Sequence, residues 1–365
     1  MKGVLKLGSV SGIKIEVHWT FTLLLIWVVI SEILRGGTLL STLFSIGLIL
    51  ILFVCVVLHE LGHALTAKKF HIKTQNITLL PIGGMATMEK IPEKPWQELA
   101  VALAGPAVNV VIALLLYLFI PVKDYLGMEP GQILESLNTL NSQTFFFYLF
   151  AANVMLVVFN MIPAFPMDGG RVFRALLSFA MDRVKATSIA SGLGQLMAVL
   201  FFFLGVFSNP FLILIAIFIF ISAYGENQMV QQHSLLKGHT AKEATLKYIT
   251  RLHPEDTAQK AIDTLLAGSE KDFVVTDDNR IVGVLYQKDI IKNTTTPSVL
   301  IGDIMQTTFK TVDMSTEMVK VLELIKKDEQ NFFPVTKDQQ LVGAIDSSNI
   351  SEFILLKNEI ANKPY

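Results

Sequence analysis

His59-Glu60-Leu61-Gly62-His63 sets two imidazoles four residues apart with a carboxylate between them. On an α-helix, residues i and i+4 share a face, so both rings can hold one metal ion, zinc being the usual choice. Glu60 then lies close enough to take a proton from a water on that metal, which is the chemistry of hydrolysis. Two histidines do not complete a catalytic zinc site; a third protein ligand and one open position are expected. The best candidate is Asp168, in NMIPAFPMDGG (160–170), where Pro163 and Pro166 break a helix and Gly169 and Gly170 permit close approach. The competing reading of Asp168 is a cap on a Pro/Gly turn. The competing reading of the histidine pair is a helix end facing headgroups, which would leave Glu60 unpaired near lipid. Asn160 either donates hydrogen bonds to a substrate backbone or satisfies a kinked helix.

These residues sit in an apolar setting. Leu39 to Leu58 is 20 residues without a charge, long enough to cross a bilayer. Across all 365 residues, 52% are hydrophobic and 17% charged, too apolar for a soluble chain of this size. The apolar runs lie almost entirely in residues 1–225, and ordinary globular sequence follows from Glu226. Net charge is −1, which points neither toward nor away from nucleic acid, and no nucleic-acid partner is expected. The single cysteine, Cys55, lies inside an apolar run and reads as a small core residue. The first apolar stretch lacks a small-residue cleavage site and reads as a retained anchor.

Six spans are expected: Val17–Leu34, the H-E-x-x-H segment, Leu99–Val122, Thr144–Met167, and two from the uncharged stretch Ala186–Gly225. That stretch is about 60 Å as helix, twice a bilayer core of about 30 Å, and Asn209-Pro210 is its natural break. The last span, Phe211–Tyr224, is short. Lys2, Lys6 and Lys14, then Lys68, Lys69, Lys73, Lys90 and Lys94, then Arg171, Arg174, Arg183 and Lys185 fall on one side; Arg35 and Lys123 fall on the other. By the positive-inside rule, both termini and the H-E-x-x-H end of its span face the cytoplasm, in a multi-pass protein of the cell membrane. From His59 to Lys68, the first charge past the motif, the helix rises about 14 Å, so the site lies below the membrane surface. Asn109 and Asn153, inside spans three and four, are candidates to support the site from within the membrane; the competing reading of each is helix packing. Ile72–Met88, β-branched around Pro81 and Gly83-Gly84, predicts two short extended segments about a turn. Its free edge either pairs with an unwound substrate segment or is simply a packed hairpin.

VVLHELGH (56–63), LLPIGG (79–84), AGPAVN (104–109) and NMIPAFPMDGGR (160–171) together closely resemble the site-2 protease family of intramembrane zinc metalloproteases, in that family's order. The resemblance is greatest to the subgroup with six spans and C-terminal CBS modules. It implies His59, His63 and Asp168 as ligands of one zinc ion per chain, Glu60 as general base and acid, and Asn160 near the catalytic centre. It also implies that the substrate is a transmembrane segment of another protein, often already trimmed by another protease.

Residues 240–357 hold a weak internal repeat, TAQKAIDTLL…KDFVVTDDNRIVGVLYQKDI and TEMVKVLELIKKDEQNFFPVTKDQQLVGAIDSSNI. Each copy reads as helix, strand, polar turn, strand ending in Val-Gly and a second helix start. The repeat resembles tandem CBS modules, which implies a regulatory or dimerising unit, with an adenine nucleotide as its ligand and a homodimer as its assembly. The ribose-binding pattern of such modules is Gly, then Ser or Thr three residues on, then Asp three further. Here it reads Gly283, Tyr286, Asp289 and Gly343, Asp346, Asn349, of which Asp289 alone fits fully; its competing reading is a helix cap.

The expected fold is thus a polytopic α-helical membrane domain (1–225) of six transmembrane helices with a small membrane-associated β element. A linker (226–239) leads to an α/β tandem CBS domain, with module 1 at 240–297 and module 2 plus tail at 298–365. The alternative function is a CBS-regulated membrane transporter or channel, which predicts charged residues at the midplane of several spans. A structural zinc would need a fourth protein ligand, and no cysteine or histidine cluster supplies one.

Overall fold

The computed structural model describes residues 3–81, 83–88, 92–120, 140–328 and 330–362. The chain divides into two compact units, Met1–Gln228 and Met229–Tyr365. Lys2, Lys90, Lys123 and the expected end of the third span at Val122 lie outside the described residues.

The first unit opens with a hairpin, β1 (Val4–Val10) and β2 (Ile13–His18), where a membrane span was expected to begin at Val17. The alternation Ile13-Lys14-Ile15-Glu16-Val17-His18 suits a strand with one buried face, and Ser11 and Gly12 turn the chain with positive φ (53° and 87°). Helix α1 (Phe21–Leu34) follows. Its 14 residues rise only about 21 Å, short of a bilayer core. Among the described residues five helices, not six, are long and apolar enough to cross a membrane: α2 (Leu39–Lys69), α3 (Pro95–Phe119), α4 (Ser142–Asn160), α6 (Arg183–Phe207) and α7 (Phe211–Leu236). Between α4 and α6 lies the short helix α5 (Asp168–Leu177), so the expected fourth span ends at Asn160 rather than Met167.

Local chemistry sets these boundaries. Thr38 accepts from the Ser41 N–H to start α2, Asn141 from the Thr144 N–H to start α4, and Asp182 from the N–H groups of Val184 and Lys185 to start α6. Asn209-Pro210 separates α6 from α7, with the Asn209 side chain accepting from the Phe211 N–H. Helix α7 continues through the expected linker to Leu236, because residues 226–236 contain neither Gly nor Pro, and Gly238 at φ 81° follows its end.

The expected extended pair forms as β3 (Thr74–Leu80) and β4 (Gly83–Met88). They complete a four-stranded sheet of order β1-β2-β3-β4, in which β2 and β3 are parallel and β4 is an edge. One face of the sheet buries Ile13 and Ile77 against Leu61 and Ala64 of α2, the helix that carries the histidine pair. Phe21 of α1 and Leu79 of β3 bury against Phe53 of α2. Burial of each such side chain contributes about 1.5–3 kcal/mol, and together these contacts lock the sheet to the lower half of α2.

The second unit repeats one motif. In the first copy β5 (Arg251–Leu252), α8 (Ala258–Ala267), β6 (Phe273–Asp277), β7 (Arg280–Leu285) and α9 (Gln287–Lys292) surround the core of Leu252, Ala261, Phe273, Val275, Leu285 and Ile290. A short helix, α10 (Ile301–Ile304), leads to the second copy: β8 (Val312–Asp313), α11 (Met318–Asp328), β9 (Phe332–Lys337), β10 (Gln340–Asp346) and α12 (Ser347–Asn362). Each copy has a three-stranded sheet with one parallel and one antiparallel pairing. The hairpins turn through Asp278-Asn279 and Asp338-Gln339, all four residues at positive φ, the geometry of a two-residue primed turn. Val274 and Val284 of one copy bury with Phe332 and Ala344 of the other.

Candidate active site

Helix α2 runs unbroken past Leu58 to Lys69, so His59 and His63 stack one turn apart on a single face, ring centroids 4.7 Å apart. Asp168 is the first residue of α5, a position where a carboxylate is favoured by the helix dipole. Chain distance is large, yet the three side chains converge. Asp168 Oδ2 lies 3.1 Å from His59 Nε2 and 3.0 Å from His63 Nε2, and the two Nε2 atoms are 3.1 Å apart. All three residues are buried. They form the group of potential metal ligands found among the described residues, and the sequence had marked all three.

The donor triangle fits a metal ion on its own geometry. A tetrahedral zinc with ligand bonds of about 2.0–2.1 Å spaces its donors about 3.3 Å apart. The protonation pattern fits as well. His63 Nδ1 lies 2.7 Å from the Val101 carbonyl and His59 Nδ1 lies 2.5 Å from Asn109 Oδ1, and both partners can only accept. Each Nδ1 must therefore carry the hydrogen, and each neutral ring is left with its Nε2 lone pair aimed at the shared point beside Asp168. Gly105 keeps that point open: a Cβ there would stand 2.2 Å from His63 Nε2 and 2.8 Å from His59 Nε2.

Backbone proximity makes this possible. A Cβ on Gly62 would stand 2.7 Å from the Ala104 carbonyl oxygen, so α2 and α3 approach at the level of the motif as only small residues allow. A Cβ on Gly169 would stand 2.3 Å from the Ile162 carbonyl oxygen, so the start of α5 is folded tightly against the 161–166 loop, whose Phe165–Pro166 peptide is cis. Glu60 is half-buried, and its carboxylate makes no hydrogen bond among the described residues. Strand β4 lies against its stem, since a Cβ on Gly84 would stand 2.7 Å from Glu60 Cγ. The free edge strand and the carboxylate are therefore neighbours. Asn160 ends α4, half-buried, and makes no side-chain hydrogen bond among the described residues; it does not join the triad.

A buried ionic cluster escaped sequence reading. Arg174, on α5 two turns beyond Asp168, has no exposed surface. Its Nε donates to Glu98 Oε1 of α3 at 2.8 Å, Nη2 bonds the same oxygen, and Nη1 donates to Glu226 Oε1 of α7 at 2.5 Å. Its guanidinium also lies 4.9 Å from the Phe165 ring centroid. Arg183 Nη2 stands 3.6 Å from Glu98 Oε2. In the sequence, Arg174 is indistinguishable from Arg171 as a charge in a polar connection; the partners that bury it are 76 and 52 residues away.

In the second unit, Asp289 is buried on the wall of a cavity of about 760 Å³, with Lys271, Lys288, Lys292, Thr308 and Asp346. It is not a helix cap: Tyr286 holds that position without a side-chain bond, and Asp289 Oδ2 accepts from Gln306 Nε2 at 3.3 Å. Burial pushes the Asp272 carboxyl on the same wall above the usual carboxylate range, although the Gln287 N–H donates to it. The equivalent Asp346 and Asn349 of the second copy start a helix, Asp346 while also lining the cavity. Asp346 and Asn349 each accept the other's backbone N–H, at 2.7 and 3.1 Å, and start α12.

Comparison with known proteins finds two families in the chain. The model of a family described as Peptidase family M50 matches residues 47–130 and 126–205, and that of the CBS domain matches 241–294 and 301–356. The chain is 31% identical to the zinc metalloprotease MJ0392 of Methanocaldococcus jannaschii, over 95% of this chain and 94% of that protein. It is 29% identical to the Synechocystis sp. protein sll0528, over 96% of this chain and 95% of that one. Among solved structures it is similar to a site-2 protease from Methanocaldococcus jannaschii, at 36% identity over 61% of this chain and 95% of that one, with a TM-score of 0.44.

Proposed function

Because the chain belongs to peptidase family M50, the site-2 proteases, and is a zinc metalloprotease with two CBS domains, we propose that it hydrolyses peptide bonds in or near transmembrane segments of other membrane proteins. His59, His63 and Asp168 hold one zinc ion per chain. The observation that carries this reading is the buried donor triangle of 3.0–3.1 Å where the short helix α5 meets the membrane-length helix α2. Zinc bound there supplies a Lewis acid, lowering the pKa of a water and polarising a carbonyl. Glu60 takes the proton of the attacking water and returns it to the departing nitrogen. A helical substrate hides its carbonyls in its own hydrogen bonds, so the cut region must unwind. The free edge of β4, beside Glu60, offers the backbone pairing an unwound segment needs. Asn160, whose amide has no side-chain hydrogen bond among the described residues, is available to the same segment.

In this reading residues 1–225 form the protease and reside in the cell membrane. Helices α1 and α2 cross as a pair, since β2 before them and β3 after them share one sheet. Both termini are cytoplasmic by the lysine and arginine bias. Residues 226–239 join it to CBS modules at 240–297 and 298–365, which regulate it, bind an adenine nucleotide in the Asp289 cavity and pair two chains. The deciding experiment is co-expression of wild type or Glu60→Gln with a panel of single-span membrane proteins. Wild type should leave shortened products that Glu60→Gln does not; identical products from both would defeat the protease reading. Metal analysis should find about one zinc per chain, lost in His59→Ala, and zinc persisting in a His59→Ala/His63→Ala variant would defeat the ligand assignment.

A further inference from the structure

Asn109 and Asn153, whose sequence setting leaves support of the site and helix packing both open, lie inside apolar helices with no exposed surface. The structure links them in a line that ends on the metal ligand. Asn153 Nδ2 donates to the Leu149 carbonyl at 2.8 Å, Asn109 Nδ2 donates to Asn153 Oδ1 at 2.8 Å, and Asn109 Oδ1 faces His59 Nδ1 at 2.5 Å.

The direction of every bond in this line follows from its far end. A backbone carbonyl only accepts, so Asn153 must turn its NH₂ toward Leu149, one turn back on the same helix. Its oxygen then faces Asn109 and requires the NH₂ of that amide. Asn109 is left presenting its oxygen to His59, and an oxygen there requires a hydrogen on Nδ1. The lone pair of the neutral ring is then at Nε2, facing Asp168 and His63. His63 needs no such line, because the Val101 carbonyl meets its Nδ1 directly.

We infer that Asn109 and Asn153 are positioning residues for the metal site: a two-amide relay anchored on the Leu149 carbonyl of α4 fixes the tautomer and ring plane of His59. The inference rests on the zinc reading proposed above. The relay spans α4, α3 and α2, so the donor triangle is preorganised only when these three helices are packed together.

The test is zinc affinity of the purified full-length protein in detergent, by competition with a chromogenic chelator, for wild type, Asn109→Leu, Asn109→Asp and Asn153→Leu. Loss of such an outer partner costs about 10–100-fold in metal affinity, and that loss is expected for Asn109→Leu. Asn109→Asp keeps an acceptor for His59 Nδ1 but loses the donor that Asn153 Oδ1 requires, so it should lose clearly less zinc affinity than Asn109→Leu. Asn153→Leu frees the Asn109 amide to rotate; it should weaken zinc by a smaller factor and, in protein with ¹⁵N-labelled histidine, abolish the single Nδ1–H signature of His59. Asn153→Leu, one bond further from the metal, also decides the matter where Asn109→Leu does not fold. Wild-type affinity in both leucine variants, or equal loss in Asn109→Asp and Asn109→Leu, would overturn the relay. Wild type that binds no zinc would instead end the zinc reading itself.

Discussion

Gly105→Ala is the smallest change that tests the metal site, because it adds one methyl group and removes nothing. The new Cβ would stand 2.2 Å from His63 Nε2, 2.5 Å from His63 Cε1 and 2.8 Å from His59 Nε2. Carbon in ordinary contact stands about 3.5 Å away or more, so at least about 1 Å of movement is needed. His63 has nowhere to retreat. Its Nδ1 is already 2.7 Å from the Val101 carbonyl on the same helix as Gly105, and at Gly62 the α2 backbone already abuts the Ala104 carbonyl. The cost to folding should be that of a modest overpacking, about 1–3 kcal/mol, which leaves the chain folded. The cost to the site should be far larger, because ligand distances tolerate only about 0.2 Å and a displacement of about 1 Å can cost 100-fold in rate. We expect zinc affinity and substrate cleavage each to fall by at least about 100-fold. The assay is zinc per chain after dialysis against a weak chelator, beside cleavage in co-expressing cells. Gly192→Ala is the control, since nothing lies within 4 Å of a Cβ there. A Gly105→Ala protein that keeps one zinc per chain and cleaves at the wild-type rate would refute the placement of the metal between these rings.

Other consequences can be checked in the same preparations. Arg174→Met strands the carboxylates of Glu98 and Glu226 in the interior and should cost about 3–5 kcal/mol, read as a lower unfolding midpoint in detergent; replacing all three charges by methionine should recover most of that loss. Gly84→Ala presses on the stem of Glu60 without touching the zinc donors, so cleavage should fall at least about tenfold while zinc content stays at the wild-type level. In the second unit, burial raises the Asp256 carboxyl, but bonds from the Lys260 ammonium and the His253 N–H outweigh this and hold it below its ordinary value. Its stabilisation is therefore present above about pH 3.9 and lost as pH falls through the depressed folded value. Asp256→Asn should lower the unfolding midpoint of that unit at pH 7 and lower it less at pH 3, where the unfolded chain already binds the proton; an equal effect at both would contradict the ion-pair explanation.

Much of this protein is local in origin. The spacing of His59 and His63 fixes a shared helix face, because helix geometry depends on neighbours four residues away. Uncharged runs identify the long helices, and β-branched residues around Pro81 and Gly83 identify β3 and β4. The N-terminal hairpin was equally legible, in the alternation from Ile13 to His18 and the Ser11-Gly12 turn, but the apolar run beyond it drew the boundary of a span too early. Asp168 could be nominated because Pro and Gly around it broke a helix. That it meets the histidines at 3.0–3.1 Å was decided by packing across more than 100 residues of chain.

The tertiary structure alone settled the surroundings. Whether Asn109 packs, bonds a histidine or lies idle depends on what α2 and α4 bring to its two sides. Arg174 looks like a surface charge until α3 and α7 supply Glu98 and Glu226. Gly105 looks like a helix-packing glycine until two imidazoles occupy the space beside it. The identity of a reactive group is written in residue type and short-range spacing. Its tautomer, its counter-charge and the room left for a ligand come from contacts between distant segments, and only the folded chain brings those together.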